Sequence, residues 1–246
     1  MTGRIAVIGS GFRPQGSTRP PDEIANIVGS GFTAELVEIP DGIFPGDHDS
    51  RAIVDIQYRD AGRRSQDAGF DAVYINTIGD YGLEELRGEL KIPVIGSGET
   101  AYRTASALGR FAVVTIWPPS LDFIRTRVLA QSGTADNYIG ATNLSADEVM
   151  ETLPDEENFV TEMRACSLTS MRSIREARDA AIETAGAAAV ILGCTCMAPA
   201  AAMLPPNAGA VTLEPMTLGY RFTEYCLTHR LLPQDADYEQ AGKWLS

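Results

Sequence analysis

The chain has 246 residues, 44% of them hydrophobic, which is ample for a packed core and too apolar for a disordered polypeptide. A formal net charge of −13 argues against nucleic acid and anionic membrane surfaces as partners, since both are engaged through basic patches. No apolar run approaches the length of a bilayer span, and the opening Met1-Thr-Gly-Arg-Ile-Ala-Val lacks the layout of a signal peptide, so a cytoplasmic protein is expected.

Four cysteines, Cys166, Cys194, Cys196 and Cys226, and two histidines, His48 and His229, show no paired metal-site spacing, so no metal is expected and the thiols read as reduced. Arg4 to Gly9 reads as a buried strand followed by a Gly/Pro-rich loop to Pro21. Gly9-Ser10-Gly11 lacks the third glycine of a dinucleotide fingerprint, because Pro14 stands in its place. A short helix near 22–28 and a strand over 33–39 follow, then an acidic loop carrying Asp47, His48 and Asp49 that reads as a solvated turn. Residues 50–68 suggest an amphipathic helix whose apolar side is Ile53, Ile56, Tyr58 and Ala61. Next come a strand over 71–77, a helix from about Asp80, which would be its N-cap, a strand over 92–97 and a helix over 99–108. Short turns between alternating strands and helices imply a parallel sheet covered on both faces.

The second half repeats the first. Arg110-Phe-Ala-Val-Val-Thr115 restates Arg4-Ile-Ala-Val-Ile-Gly9, Pro118 and Pro119 open a helix through Ile124 and Val128, and 137–141 reads as a short strand. An acidic surface segment over 145–158 precedes a long helix over roughly 159–184. Ala68-Gly-Phe-Asp-Ala-Val-Tyr-Ile-Asn-Thr77 aligns with Ala185-Gly-Ala-Ala-Ala-Val-Ile-Leu-Gly-Cys194, and the same offset of 117 lays Pro93–Ser97 over Ala210–Glu214. Thr77 is thereby the pseudo-symmetric counterpart of Cys194. The expected fold is α/β, with two pseudo-symmetric parallel-sheet halves, residues 1–108 plus 216–246 and residues 109–215. Their strand carboxyl ends would face a shared cleft with Thr77 and Cys194 on opposite walls.

The apolar run 185–193 ends at Cys194 and then turns polar, so Cys194 is expected at a strand's carboxyl end with a helix starting at Thr195. A thiolate there is favoured by the helix N-terminus; the bland alternative is a small buried core thiol. Gly193-Cys-Thr-Cys-Met197, Gly79-Asp-Tyr-Gly-Leu83 and Ile92-Pro-Val-Ile-Gly-Ser-Gly-Glu99 together resemble the aspartate/glutamate/hydantoin racemase superfamily, most closely its hydantoin and allantoin racemases. That resemblance implies two pseudo-symmetric α/β halves, no cofactor, and a cysteine on each wall of the cleft. One thiolate would take a proton from carbon next to a carbonyl, and the other thiol would return one on the opposite face. Cys194 matches the second family cysteine, whereas Thr77 stands at the first, and a hydroxyl is a far weaker acid than a thiol of reference pKa about 8.5. Thr77 suits hydrogen-bond donation to a carboxylate or enolate oxygen.

The reading that follows is a cofactor-independent isomerase that forms and reprotonates a carbanion or enediolate, with Cys194 as acid/base and Thr77 as opposing donor. Two alternatives stand beside it. A single cysteine opposite a hydroxyl resembles arylmalonate decarboxylase, and a non-catalytic small-molecule binding protein would keep the cleft without the chemistry. Candidate substrate contacts are Ser10, Gly11, Asn76, Thr115, Thr195 and Glu99, for a small carboxylate or hydantoin-like ligand. Cys196 is expected to point elsewhere as a buried spectator, and Cys166 and Cys226 to be core thiols. Self-association into a homo-oligomer is expected, as is common for such α/β proteins.

Overall fold

The apolar runs Ala72–Ile75 and Ala189–Leu192, buried at every position, are the inner strands of two sheets in a computed structural model of the chain. The structure describes residues 2–9, 17–152, 169–207 and 209–233. Among them, β1 (Gly3–Ile8), β2 (Phe32–Val37), β3 (Ala72–Ile75) and β4 (Val94–Gly96) pair in the order β2-β1-β3-β4. The second sheet, β5 (Phe111–Thr115), β6 (Tyr138–Asn143), β7 (Ala189–Leu192) and β8 (Val211–Leu213), has the order β6-β5-β7-β8. Every pairing is parallel. The offset of 117 read from the sequence carries β3 onto β7 and β4 onto β8 residue for residue. Inner strands buried on both faces need near-continuous apolar runs, and β3 (AVYI), β5 (FAVVT) and β7 (AVIL) supply them. The edge strands β2 and β6 remain half-exposed.

The chain divides into two compact units: residues up to Ser97 with the C-terminal helix from Met216, and Gly98–Pro215. In the first, α1 (Asp22–Ala25), α2 (His48–Asp67) and α3 (Leu83–Glu89) alternate with strands, and α4 (Ser97–Leu108) leads onward from β4. In the second, α5 (Asp122–Ser132), α6 (Met171–Glu183) and α7 (Ala198–Met203) do the same. The last helix, α8 (Pro215–His229), returns to the first unit. There Gly219 lets it lie against Tyr74, where a Cβ would come within 2.7 Å of the ring.

Four expectations need correction. The buried row of α2 is Arg51, Val54, Tyr58, Ala61, Gly62 and Ser65, while Ile53 and Ile56 stand 49% and 53% exposed. At 100° per residue the two isoleucines lie across the helix from that row. The acidic loop is a cap: the Asp47 carboxylate accepts from the Ser50 N–H at 2.7 Å, and the Ser50 hydroxyl accepts from the Asp47 N–H, so His48 is already helical. Asp80 is not the N-cap of α3, which starts at Leu83 with Gly82 in that position. The helix expected over 159–184 is described from Met171, where the Ser170 hydroxyl caps the Ser173 N–H; residues 153–168, including Cys166, lie outside the described residues. Among the described residues no helix is long and apolar enough to cross a membrane.

Candidate functional site

In the second unit the candidate centre is built on the last residues of β5 and β7. Val114 pairs with Leu192, so Thr115 and Gly193 lie side by side just beyond the paired rungs. Gly193 must be glycine for this approach: a Cβ there would sit 2.6 Å from the Thr115 Cβ and 2.9 Å from both its Oγ1 and the Val113 Cγ1. The Thr115 hydroxyl donates to the Gly193 carbonyl (3.3 Å) and accepts the Trp117 N–H (3.1 Å). Its single proton is therefore committed to the chain segment that carries Cys194. Thr115, expected as a substrate contact, thus acts here on the neighbouring backbone. Trp117 anchors the loop through its backbone, its carbonyl accepting from the Asn143 side-chain amide at 3.0 Å.

Cys194 follows at once, 7% exposed and in extended conformation (φ −155°, ψ 138°). It is the N-cap of a single 3-10 turn, Thr195–Met197, that runs into α7. Its carbonyl accepts the Met197 N–H (3.0 Å) and its Sγ accepts the Cys196 N–H (3.2 Å). Thr195 is buried beside it. Cys196 is not the spectator expected: its sulfur is joined to that of Cys194 in a disulfide. The reason is local, since an extended residue followed by a tight turn brings side chains two apart onto one side, with Cα atoms 5.1 Å apart.

In the first unit, Ile8, Ile75 and Gly96 end at one level of the sheet, so Gly9, Asn76 and Ser97 line its carboxyl edge. Asn76 is fully buried and its N–H donates to the Ile8 carbonyl (2.8 Å). The Thr77 Oγ1 is buried with no hydrogen-bond partner among the described residues. Asp80 is 2% exposed and holds the left-handed conformation (φ 46°), which is rare outside glycine. Its carboxyl group lies against Gly96, where a Cβ would come within 2.5 Å of the Asp80 Cγ. Beneath this edge, Tyr81 packs edge-on against Tyr58 with centroids 5.4 Å apart, and the Arg51 guanidinium stands 5.8 Å from the Tyr81 centroid. Arg51 pairs with Asp55 (3.2 Å), whose other task is to accept the Gly82 N–H (2.9 Å). Burial raises the Asp55 carboxyl above its ordinary value despite Arg51 beside it. This support was missed in the sequence, although Gly79-Asp-Tyr-Gly82, a polar run with two glycines directly after a buried strand, was its signal.

Glu99, in the first turn of α4, is 5% exposed and forms a 3.0 Å ion pair with Arg103 one turn later. Ser10 and Gly11 lie outside the described residues. Cys226 is a fully buried thiol whose pKa burial pushes up to about 12, the inert core cysteine expected. Among the described residues no group of three or more acidic, His or Cys side chains is placed to hold a metal ion.

A family model described as Asp/Glu/Hydantoin racemase matches residues 32–223. A hydantoin racemase of Pseudomonas sp. (strain NS671) is 27% identical over 163 residues, 66% of this chain and 60% of that protein, so the chain spans about three fifths of its length. Among solved structures, the allantoin racemase of Klebsiella pneumoniae aligns over 98% of this chain and 93% of its own, with a TM-score of 0.71 and 22% identity. That of Pseudomonas fluorescens gives 0.74 and 19% over 97% and 96%. A mutant arylmalonate decarboxylase shares the fold at a TM-score of 0.52 and 14% identity over 90% and 92%.

Proposed function

Since the chain belongs to the Asp/Glu/hydantoin racemase family, we propose that it is a cofactor-independent enzyme that forms and quenches a carbanion or enediolate next to a carbonyl, with Cys194 as acid/base. The observation that carries this reading is the setting of Cys194. It lies two residues beyond the buried central strand β7, follows directly on the Thr115–Gly193 contact, and has its sulfur at 3.2 Å from the Cys196 N–H. In the dithiol form that N–H favours the thiolate, lowering the cost of holding charge in a nearly buried site. A thiolate so held takes the proton from carbon, and the thiol it becomes returns one.

Thr77 is given the complementary task. Its buried hydroxyl has no partner among the described residues, which leaves its proton free for an oxygen that gains charge as the carbon is deprotonated. The substrate class is a small carboxylate or a cyclic amide of the hydantoin type. Thr77 where the family pattern has cysteine also supports a second reading, loss of one carboxylate from a disubstituted malonate followed by one-sided protonation from Cys194.

The test is to incubate the reduced protein in deuterated water with enantiopure 5-substituted hydantoins, amino acids and substituted malonates. Deuterium entering at carbon supports the carbanion; inversion with it requires a second proton donor, and carbon dioxide release selects the decarboxylase reading. A reduced, folded protein that produces neither exchange nor carbon dioxide with any of the three classes contradicts the proposal.

A further inference from the structure

The disulfide between Cys194 and Cys196 has no place in proton transfer, because a sulfur in a disulfide neither accepts nor returns a proton. The fold nonetheless brings the two together without a special device. Cys194 is the N-cap of a turn that the strand-to-helix connection makes in any case, and Cys196 lies two residues on within it, the two being 7% and 6% exposed. Their Cα separation of 5.1 Å is within the range that disulfides bridge. We propose that Cys194-Thr195-Cys196 is a redox-reversible modification site, open as a dithiol and closed by a small disulfide compound of the glutathione class.

The chemistry balances as two exchanges. The Cys194 thiolate attacks one sulfur of the small disulfide, forming a mixed disulfide and expelling one small thiolate. The Cys196 thiolate then attacks the Cys194 sulfur and expels the second. Two protein thiols have lost two protons and two electrons, and the small disulfide has become two thiols; a dithiol reductant reverses both steps. The small exposed fraction of both residues selects a small oxidant over a protein one. Cys226 does not compete, being fully buried. The consequence rests on the reading of Cys194 as acid/base: the closed form is inactive.

The site is tested by peptide mapping, which does not depend on that reading. Trypsin leaves Cys194 and Cys196 on one peptide, 179–221, with no other cysteine, while Cys166 and Cys226 fall on 165–172 and 222–230. The whole chain is reduced with dithiothreitol, freed of it, exposed to oxidised glutathione, alkylated and digested. Peptide 179–221 is expected to appear lighter by two hydrogens, unalkylated and free of glutathione, and to recover two alkylatable thiols after dithiothreitol. In Cys196→Ser the same peptide should stop with one glutathione attached. A wild-type peptide that keeps its glutathione, stays fully alkylatable, or links to either of the other two overturns the site. The exchange rate in deuterated water should fall in proportion to the oxidised fraction; a fully oxidised protein with undiminished exchange overturns the switch. Closure of the disulfide in a protein that exchanges no substrate in either form leaves the site standing and removes the carbanion reading instead.

Discussion

Replacing Gly193 by Ala places a methyl group between the two central strands that carry the candidate centre. The new Cβ meets the Thr115 Cβ at 2.6 Å and the Thr115 Oγ1 and Val113 Cγ1 at 2.9 Å, against ordinary carbon contacts of about 3.5–4.0 Å. Neither neighbour has room to yield, since Val113 and Thr115 are 1% and 3% exposed and their strand is held to β7 by the 2.8 Å bond from the Gly193 N–H to the Val114 carbonyl. Overpacking of this kind costs about 1–3 kcal/mol. Stretching the hydroxyl bond from Thr115 to the Gly193 carbonyl adds about 0.5–1.5 kcal/mol. At about 2–4 °C per kcal/mol for a chain of this size, the midpoint should fall by roughly 5–15 °C. Thermal unfolding by circular dichroism reads the stability, and iodoacetamide alkylation of the reduced protein reads the displacement of Cys194. The double variant Gly193→Ala/Thr115→Gly removes two of the three contacts, so the alanine penalty should be smaller in that background. A Gly193→Ala protein with wild-type midpoint and alkylation rate would refute the account of how β5 and β7 position the thiol.

Three further outcomes follow from other contacts. Thr115→Val keeps the side-chain shape but strips the Gly193 carbonyl of a donor and the Trp117 N–H of an acceptor, so urea unfolding should register a loss of about 1–3 kcal/mol. Because Asp80 holds φ 46°, Asp80→Ala should be less stable than Asp80→Gly by about 1 kcal/mol, a difference that cancels the shared loss of the carboxyl; equal stabilities would mean that the left-handed conformation is not kept. The Ser50 hydroxyl and N–H hold the Asp47 carboxyl below its ordinary value, so the native state binds this proton more weakly than the unfolded chain does. The stabilisation is complete above the unfolded pKa of about 3.9 and is lost as pH falls through the lowered native value. The midpoint difference between wild type and Asp47→Ala should therefore be flat from neutral pH to about pH 5 and shrink below pH 4; a gap that widens in acid would contradict the capping box.

The parallel sheets were legible because buried inner strands leave a signal that needs no partner to be read: β3 and β7 are short, apolar and β-branched, and their offset of 117 recurs at β4 and β8. The phase of α2 was not. Its buried row mixes Arg51, Gly62 and Ser65 with apolar residues, because small residues are what let α3 come close; a Cβ at Gly62 would lie 2.5 Å from Leu86. Counting apolar residues alone therefore picked Ile53 and Ile56, which face away. At the candidate centre, Cys194 was readable from the strand it follows, but the bond to Cys196 depends on the three-residue turn Thr195–Met197 that comes directly after an extended residue. Thr115 was found as a hydroxyl at a strand end; that its proton goes to Gly193 required the β5–β7 register. The strained backbone at Asp80 leaves no compositional trace, since aspartate at the start of a helix has a simpler explanation that the position of α3 removes.

Cys194 is the group proposed to move a proton at carbon. Its most direct test is the rate at which the reduced protein exchanges that carbon's hydrogen for deuterium, measured by NMR beside Cys194→Ala on whichever substrate wild type accepts. The alanine variant, folded and with Cys196 still reduced, is predicted to be slower by several orders of magnitude, since the thiolate proposed to take the proton is gone. Exchange by Cys194→Ala at the wild-type rate would contradict the account.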